Sequence, residues 1–120
     1  MDNQGYIETC IFCKLAKGLV RADIIFQDNA VIAFNDIHPQ APTHVLVIPR
    51  THITALWEAD ESHSALLGHI MLACNKAADM AGIGDSGFRV VVNSGSDAGQ
   101  SVDHLHFHVM GGRKLTWPPG

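Results

Sequence analysis

The chain has 120 residues, a formal net charge of −4 at pH 7 and a sequence pI near 6.0. This length fits one domain and is short for two. The acidic balance argues against a nucleic-acid backbone or an anionic membrane as the main partner, but it is compatible with one small anion in a local pocket. Hydrophobic residues make up 47% and charged residues 17% of the chain, which predicts a compact core that needs no disulfides.

The first half of the chain predicts one short helix and three strands. The start, "MDNQGYIETC", is polar and predicts no signal peptide. The stretch "CIFCKLAKG" predicts a short helix that ends at Gly18. The segments "DIIFQ" and "AVIAFND" are separated by "DN" and predict a hairpin. Prolines flank "THVLVIPR", which predicts a third strand.

The second half predicts one long helix and two more strands. Apolar residues recur at helical spacing from Ser62 to Ala81, with Asp60 or Ser62 as the cap and Gly82 as the stop. "FRVVVN" predicts a fourth strand, "SGSDAGQ" a glycine-rich loop and "VDHLHFHVMGG" a fifth strand. Because a single long helix separates the strands, we expect an antiparallel α+β sheet rather than a doubly wound parallel one.

The fifth strand carries three histidines at every second position: His104, His106 and His108. Successive side chains of a strand point to opposite faces, so the intervening apolar residues should face the core. The imidazoles should then form a row along an open sheet face, about 7 Å apart at neighbouring positions. A merely solvated face would rarely consist of alternating histidines, so we favour a chemical role.

Two chemistries fit such a row. Three imidazoles can bind a catalytic metal ion, as they do at zinc sites. Alternatively, one neutral imidazole can act as a nucleophile that the others hold and polarise. The preceding loop, "NSGSDAGQS", contains glycines that allow backbone N–H groups to surround an anion. A nucleophile beside an anion-binding loop favours phosphorus as the electrophile.

Several blocks of the sequence resemble the histidine triad (HIT) superfamily of nucleotidyl hydrolases and transferases. "HLHFHVM" is similar to its His-x-His-x-His signature, and "FNDIHPQAPTHVLVIPRTHI", "VVNSGSDAGQSVDHLHFHVMGGR" and the terminal "WPPG" resemble the histidine triad nucleotide-binding (Hint) branch. The resemblance covers the chain from about Cys10 to Gly120. It implies a single HIT domain over residues 1–120, with a five-stranded antiparallel sheet, one long and one short helix, and a sheet that extends across a homodimer.

The same resemblance implies a purine nucleoside phosphoramidase. Such an enzyme hydrolyses the P–N bond of adenosine or guanosine 5′-phosphoramidates, including aminoacyl-AMP, and releases AMP or GMP and an amine. His106 would be the nucleophile, and the other catalytic histidines would be His44, His104 and His108. Nucleotide contacts would come from the phosphate-side residues Asn93, Gly99, Gln100 and Ser101, from Asp36 at the ribose, and from the base-side residues Ile11, Phe12, Leu15, Val20, Phe34 and Ile37. Trp117, from the partner's tail, would line the leaving-group side.

Cys10 and Cys13 form a Cys-x-x-Cys pair, which alone is compatible with a metal site, a redox pair or burial. Some histidine triad proteins hold a structural zinc ion with a similar pair and two histidines, which here would be His52 and His104. Other members of the Hint branch lack these cysteines and bind no metal, so the resemblance leaves zinc open. Catalysis itself should need no cofactor. Three cysteines without a signal peptide predict a cytoplasmic location.

Two other functions remain compatible with the sequence. The same pocket would serve a nucleotide-binding regulatory or interaction module in which hydrolysis is incidental, although a retained nucleophile favours chemistry. A catalytic metal site on the histidine row is the third interpretation. Neither a nucleic acid nor a membrane is expected as a partner, and His38, His63 and His69 receive no role.

Overall fold

The computed structural model describes residues 5–120, which form a five-stranded antiparallel sheet with a helix on each face. The helices are α1 (Ile11–Ala16) and α2 (Ser64–Met80), and the strands are β1 (Ile24–Gln27), β2 (Val31–Asn35), β3 (Thr43–Pro49), β4 (Phe88–Val92) and β5 (Phe107–Gly111). The strand order is β1-β2-β3-β5-β4, and every neighbouring pair is antiparallel. The predicted α+β class is therefore confirmed.

The sheet separates two apolar cores. Helix α2 packs its buried face against one side, where the odd-numbered residues Val45 and Val47 of β3 point. Helix α1 packs against the other side, where Leu46 and Ile48 point. Because β2 and β3 are covered on both faces, they are apolar at nearly every position instead of alternating.

Helix α2 begins two residues later than the predicted Ser62. Asp60 accepts from the backbone N–H of Ser62 and caps a 3-10 turn, Glu61–His63, which leads into the helix at Ser64. The predicted stop holds, since Gly82 follows with a φ of +79°. Within residues 5–120, none of the helices combines the length and the apolar run that crossing a bilayer requires.

Strand β5 is shorter than predicted. Its ladder starts at Phe107, so His104, Leu105 and His106 lie outside the regular pairing. The alternation of faces nevertheless continues, because Leu105 packs in the α2-side core. The prediction of an open face is wrong: α1 covers it, and His104 and His106 are only 0% and 3% exposed. The pattern of a strand defines which side chains share a face, but not whether a helix from elsewhere in the chain covers them.

Arg50 fixes the far end of α1 to the β1–β2 hairpin. Its guanidinium donates to the carbonyl of Ala16 at 2.8 Å, to the carbonyl of Asp28 at 2.7 Å and to Oε1 of Gln27 at 2.6 Å. One side chain thereby satisfies a carbonyl at the end of the short helix and joins it to the sheet.

Candidate active site

A cavity of about 390 Å³ lies between α1 and the sheet face that carries the histidines. Ile11, Phe12 and Leu15 of α1 form one wall. The structure brings most of the predicted nucleotide-contacting residues to this cavity, namely Ile11, Phe12, Leu15, Val20, Phe34, Asp36, Ile37, Ser101, His106 and His108. The base-side prediction and the triad prediction therefore converge on one place.

Several predicted residues do not line the cavity: Asn93, Gly99, Gln100 and Trp117. The Gln100 side chain holds its own loop together instead. Its Oε1 accepts from the N–H of Gly95 at 2.8 Å, and its Nε2 donates to the carbonyls of Thr54 and Val102 at 2.7 and 3.0 Å. Trp117 is 81% exposed on the C-terminal tail.

The loop before the triad is shaped by Gly95 and Gly99, whose φ angles are +90° and +83°. Side chains other than glycine rarely adopt this conformation. The N–H of Gln100 donates to the carbonyl of Gly95 at 3.1 Å and closes the loop around a 3-10 turn, Ser96–Ala98. The loop thus ends with Ser101 at the cavity.

His106 presents one ring nitrogen to the cavity. Its Nδ1 donates to the carbonyl of His104 at 2.7 Å, so in the neutral imidazole the lone pair is on Nε2. Phe12 packs edge-on against the ring, with centroids 5.4 Å apart. This arrangement fixes both the tautomer and the orientation that a nucleophilic imidazole needs.

His44 and His108 form a second, separate chain of hydrogen bonds, which starts at the backbone of Gln40. The backbone N–H of Gln40 donates to His44 Nδ1 at 3.0 Å, so the proton of neutral His44 is on Nε2. That Nε2 donates to Nδ1 of His108 at 2.9 Å, which leaves the His108 proton on Nε2. Among the described residues this buried Nε2 has no hydrogen-bond partner, which makes it a donor available to a ligand.

Burial keeps these imidazoles neutral. It lowers the pKa of His108 from 6.5 to about 4, with smaller contributions from His106 and His44, and the carboxylate of Asp36 opposes the shift. Burial also lowers the pKa of His44, again against the opposing effect of Asp36, whose Oδ2 lies 3.4 Å from His44 Nε2. At neutral pH these two imidazoles are therefore uncharged hydrogen-bond donors and acceptors.

The three triad imidazoles do not converge on one point. His104 directs Nδ1 towards the cysteines, His106 directs Nδ1 to a backbone carbonyl, and His108 directs Nδ1 to His44. Asp36, His44 and His108 also lie close enough together for a cation, but the hydrogen bond between the two imidazoles already engages one nitrogen of each. This geometry argues against a catalytic metal on the histidine row.

Cys10, Cys13, His52 and His104 form a second cluster, whose ligand atoms all lie within 4.8 Å of one another. The Sγ–Nδ1 distances are 3.4 Å for Cys10–His104, 3.3 Å for Cys13–His52 and 3.6 Å for Cys13–His104. Tetrahedral zinc bonds of ordinary length place sulfur and nitrogen ligands about 3.5 Å apart. The donor set and its spacing therefore fit a structural zinc ion.

Outer hydrogen bonds orient both imidazoles of this cluster. His104 Nε2 donates to the carbonyl of Pro49 at 2.8 Å, and His52 Nε2 lies 3.2 Å from Oγ1 of Thr54. Partners of this kind place the lone pair on Nδ1, facing the thiols, as is usual for metal-binding histidines.

Sequence reasoning missed several parts of the site. The backbone N–H of Gln40 and the carbonyl of Pro49 are main-chain groups that no residue pattern marks. His38, which received no role, lines the cavity, and so do Arg21, Ala22, Asn35, Leu46 and Val102. A larger cavity of about 500 Å³, lined in part by Arg89, Arg113 and Lys114, contains none of the histidines. For this reason the smaller cavity is the candidate active site.

Comparisons with known proteins identify the family and the fold. A family model described as "HIT domain" matches residues 17–115. An uncharacterized HIT-like protein of Synechococcus elongatus is 47% identical over 113 residues, which cover 94% of this chain and 98% of that protein. The crystal structure of a HIT family hydrolase from Legionella pneumophila superposes with a TM-score of 0.91 at 45% identity and covers 93% of this chain and 100% of that one. A histidine triad nucleotide-binding protein from Candida albicans gives a TM-score of 0.77 at 31% identity, over 92% of this chain and 83% of that one.

Proposed function

The chain belongs to the HIT domain family, and from this premise we propose that it is a purine nucleoside phosphoramidase of the Hint branch. In this proposal residues 1–120 form one HIT domain, of which residues 1–4 lie outside the described part. The substrates are adenosine or guanosine 5′-phosphoramidates, including aminoacyl-AMP. The observation that carries the proposal is the Nε2 of His106 at the cavity, which makes no hydrogen bond within residues 5–120, while its Nδ1 is held by the carbonyl of His104.

The covalent step uses His106 as the nucleophile. Its Nε2 lone pair attacks the α-phosphorus, a P–N bond forms to the ring, and the P–N bond to the amine breaks with its electron pair on the amine nitrogen, which takes up a proton from solvent water. Water then attacks the nucleotidyl-histidine, releases the nucleoside monophosphate and returns the imidazole to its starting state. The hydrogen bond to His104 supports this role because the carbonyl oxygen stabilises the positive charge that develops on the ring.

His108 is suited to donate a hydrogen bond to a phosphate oxygen of the substrate. Its Nε2–H is buried without a partner in the described part of the chain, and the Gln40–His44–His108 chain of hydrogen bonds orients it. Negative charge increases on the phosphate oxygens as the phosphorus is attacked, and the Nε2–H of neutral His108 can stabilise that charge.

The remaining lining residues fit a purine nucleoside. Asp36 lies one residue beyond the end of β2, and its Oδ1 already accepts from the N–H of His38 at 2.9 Å. A carboxylate has further lone pairs for the two ribose hydroxyls. The apolar wall formed by Phe12, Leu15 and Phe34 fits the flat face of a base.

We assign a structural zinc ion to Cys10, Cys13, His52 and His104, which would tie the N-terminal segment to the sheet. The cysteines are free thiols, which is compatible with the proposed cytoplasmic location. No step of the reaction passes through the zinc ion.

We propose a homodimer that joins two sheets at the free edge of β4. The outer face of helix α2, which precedes β4 in the chain, leaves Met71, Leu72 and Met80 47%, 68% and 53% exposed, which is costly for a face without a partner. In such a dimer the exposed Trp117 of each tail would reach the leaving-group side of the partner's cavity.

The test is hydrolysis of a fluorogenic adenosine phosphoramidate by the parent protein and by His106→Asn. We expect the variant to lose several orders of magnitude in kcat while it still binds AMP, because the nucleophile is removed and the cavity is kept. His63→Asn, in the exposed 3-10 turn before α2, is the matched control and should keep parental turnover. AMP binding without turnover in the parent would favour the alternative, a nucleotide-binding regulatory or interaction module.

A further inference from the structure

Helix α1 is too short to keep its position by itself. It has six residues, whereas isolated helices shorter than about 12–15 residues are marginal in water. Arg50 holds its C-terminal end through the carbonyl of Ala16. At the N-terminal end, Cys10 accepts from the N–H of Cys13 at 3.4 Å, and both thiols face imidazole nitrogens from distant segments. The contacts of the two cysteines therefore determine the position of the N-terminal end of α1.

Helix α1 is also the wall of the cavity that a nucleobase would contact. Phe12 lies in the chain between the two cysteines, and its ring packs edge-on against both His104 and His106, at centroid distances of 5.9 and 5.4 Å. If the N-terminal end of α1 moves, the cavity loses this wall and His106 loses an aromatic neighbour.

His104 connects the cysteine cluster to the reacting imidazole through its own backbone. It lies outside the ladder of β5, so strand pairing does not fix its carbonyl. Its ring is held by the Pro49 carbonyl at Nε2 and faces both thiols at Nδ1. Its carbonyl accepts the Nδ1–H of His106 at 2.7 Å. The anchoring of the His104 ring therefore determines how His106 is oriented.

We propose that this cluster is a positioning device for nucleotide binding and for the nucleophile, and that Cys10, Cys13 and His52 are positioning residues. A cation held by the cluster fixes the base-side wall through α1 and fixes His106 through the backbone of His104. The kinetic part rests on the proposed hydrolase function, whereas the part that concerns nucleotide affinity can be measured without turnover.

His52→Phe is the informative variant. His52 does not line the cavity, and its ring contacts that of His104 at a centroid distance of 5.0 Å. The replacement keeps a ring but removes the ligand nitrogen. We would measure the zinc content, the Kd for AMP by calorimetry, and kcat and KM for an adenosine phosphoramidate, in zinc-loaded parent, chelated parent and variant.

We expect loss of the metal to raise the Kd for AMP about tenfold or more and to lower kcat, in the range seen when outer-shell partners are removed from metal sites. Added zinc should restore AMP affinity and kcat in the chelated parent but not in the variant. Cys74→Ala is the control, because Cys74 is buried in the α2-side core and should leave zinc content and AMP affinity unchanged.

Equal AMP affinity with and without zinc would overturn the proposal, and so would a parent protein that takes up no zinc. If chelation unfolds the protein, Phe12→Ala decides instead: it keeps all four ligands, so zinc content should be parental while AMP binding weakens. Unchanged AMP binding in Phe12→Ala would refute the role of α1. Zinc-dependent AMP binding without any hydrolysis would refute the phosphoramidase and leave the positioning role standing.

Discussion

Acidification should destabilise this fold through the imidazoles that it buries in neutral form, and His108 allows this to be measured. Burial lowers the pKa of His108 in the folded state to about 4, whereas the unfolded chain has the ordinary value of 6.5. Below pH 6.5 the unfolded state therefore takes up the proton first. The stability that depends on neutral His108 is therefore fully present above pH 6.5 and is lost as the pH falls from 6.5 towards about 4.

The magnitude follows from that window. One histidine costs at most about 1.4 kcal/mol for each pH unit within it, which gives at most about 2 kcal/mol between pH 6.5 and pH 5. His108 is half-buried and borders the cavity, so solvent there lowers the cost. We therefore expect about 1 kcal/mol from this residue alone.

The assay is urea unfolding at pH 7 and pH 5, at fixed protein concentration, with chelator and reductant present so that metal release does not contribute. His108→Gln retains a polar side chain that does not titrate. The loss of unfolding free energy on going to pH 5 should be about 1 kcal/mol smaller in this variant than in the parent. His38→Gln, which removes an exposed imidazole, is the matched control. Equal pH dependence in His108→Gln and the parent would show that His108 is not buried as a neutral group.

Three further predictions test other parts of the structure. Elemental analysis of protein purified without a histidine tag should find about one zinc ion per chain, and Cys13→Ser should lower that ratio; a parental ratio near zero would refute the assignment. Gly111→Ala should cost about 1–3 kcal/mol of unfolding free energy, because the added Cβ would lie 2.8 Å from Cδ1 of Ile83. The control is Gly68→Ala in helix α2, where a Cβ would meet nothing within 4 Å, and this change should stabilise the protein by about 1 kcal/mol. Deleting residues 116–120 should leave the dimer intact but change the relative rates for aliphatic and aromatic phosphoramidates, and identical selectivity would show that the tail has no part in substrate choice.

The sequence predicted the elements better than their contacts. Period and turn residues located both helices and all five strands, because these signals are local. The predicted start of β5 is too early, because the ladder begins only at Phe107. Leu105 still follows the alternating pattern, but its N–H donates to the carbonyl of Ile53, which belongs to no strand. The resemblance implies that Gln100 contacts the nucleotide, but its side-chain amide hydrogen-bonds Gly95 within the loop and Thr54 outside it. Such tertiary contacts leave no periodic trace.

The alternation of β3 side chains between the two faces of the sheet limits the insertions and deletions that this protein can tolerate. His44 shares a face with Leu46 and Ile48, and β3 pairs with both β2 and β5. Gaining or losing one residue in the turn before Thr43, if absorbed as a one-residue slip of the strand, would turn His44 towards α2 and Val45 towards the cavity. It would also put both ladders out of register at once. Functional variants should therefore have no insertion or deletion in this turn. In a library of single-residue insertions, we expect tolerated insertions instead at the exposed residues 84–86, which lie outside every strand.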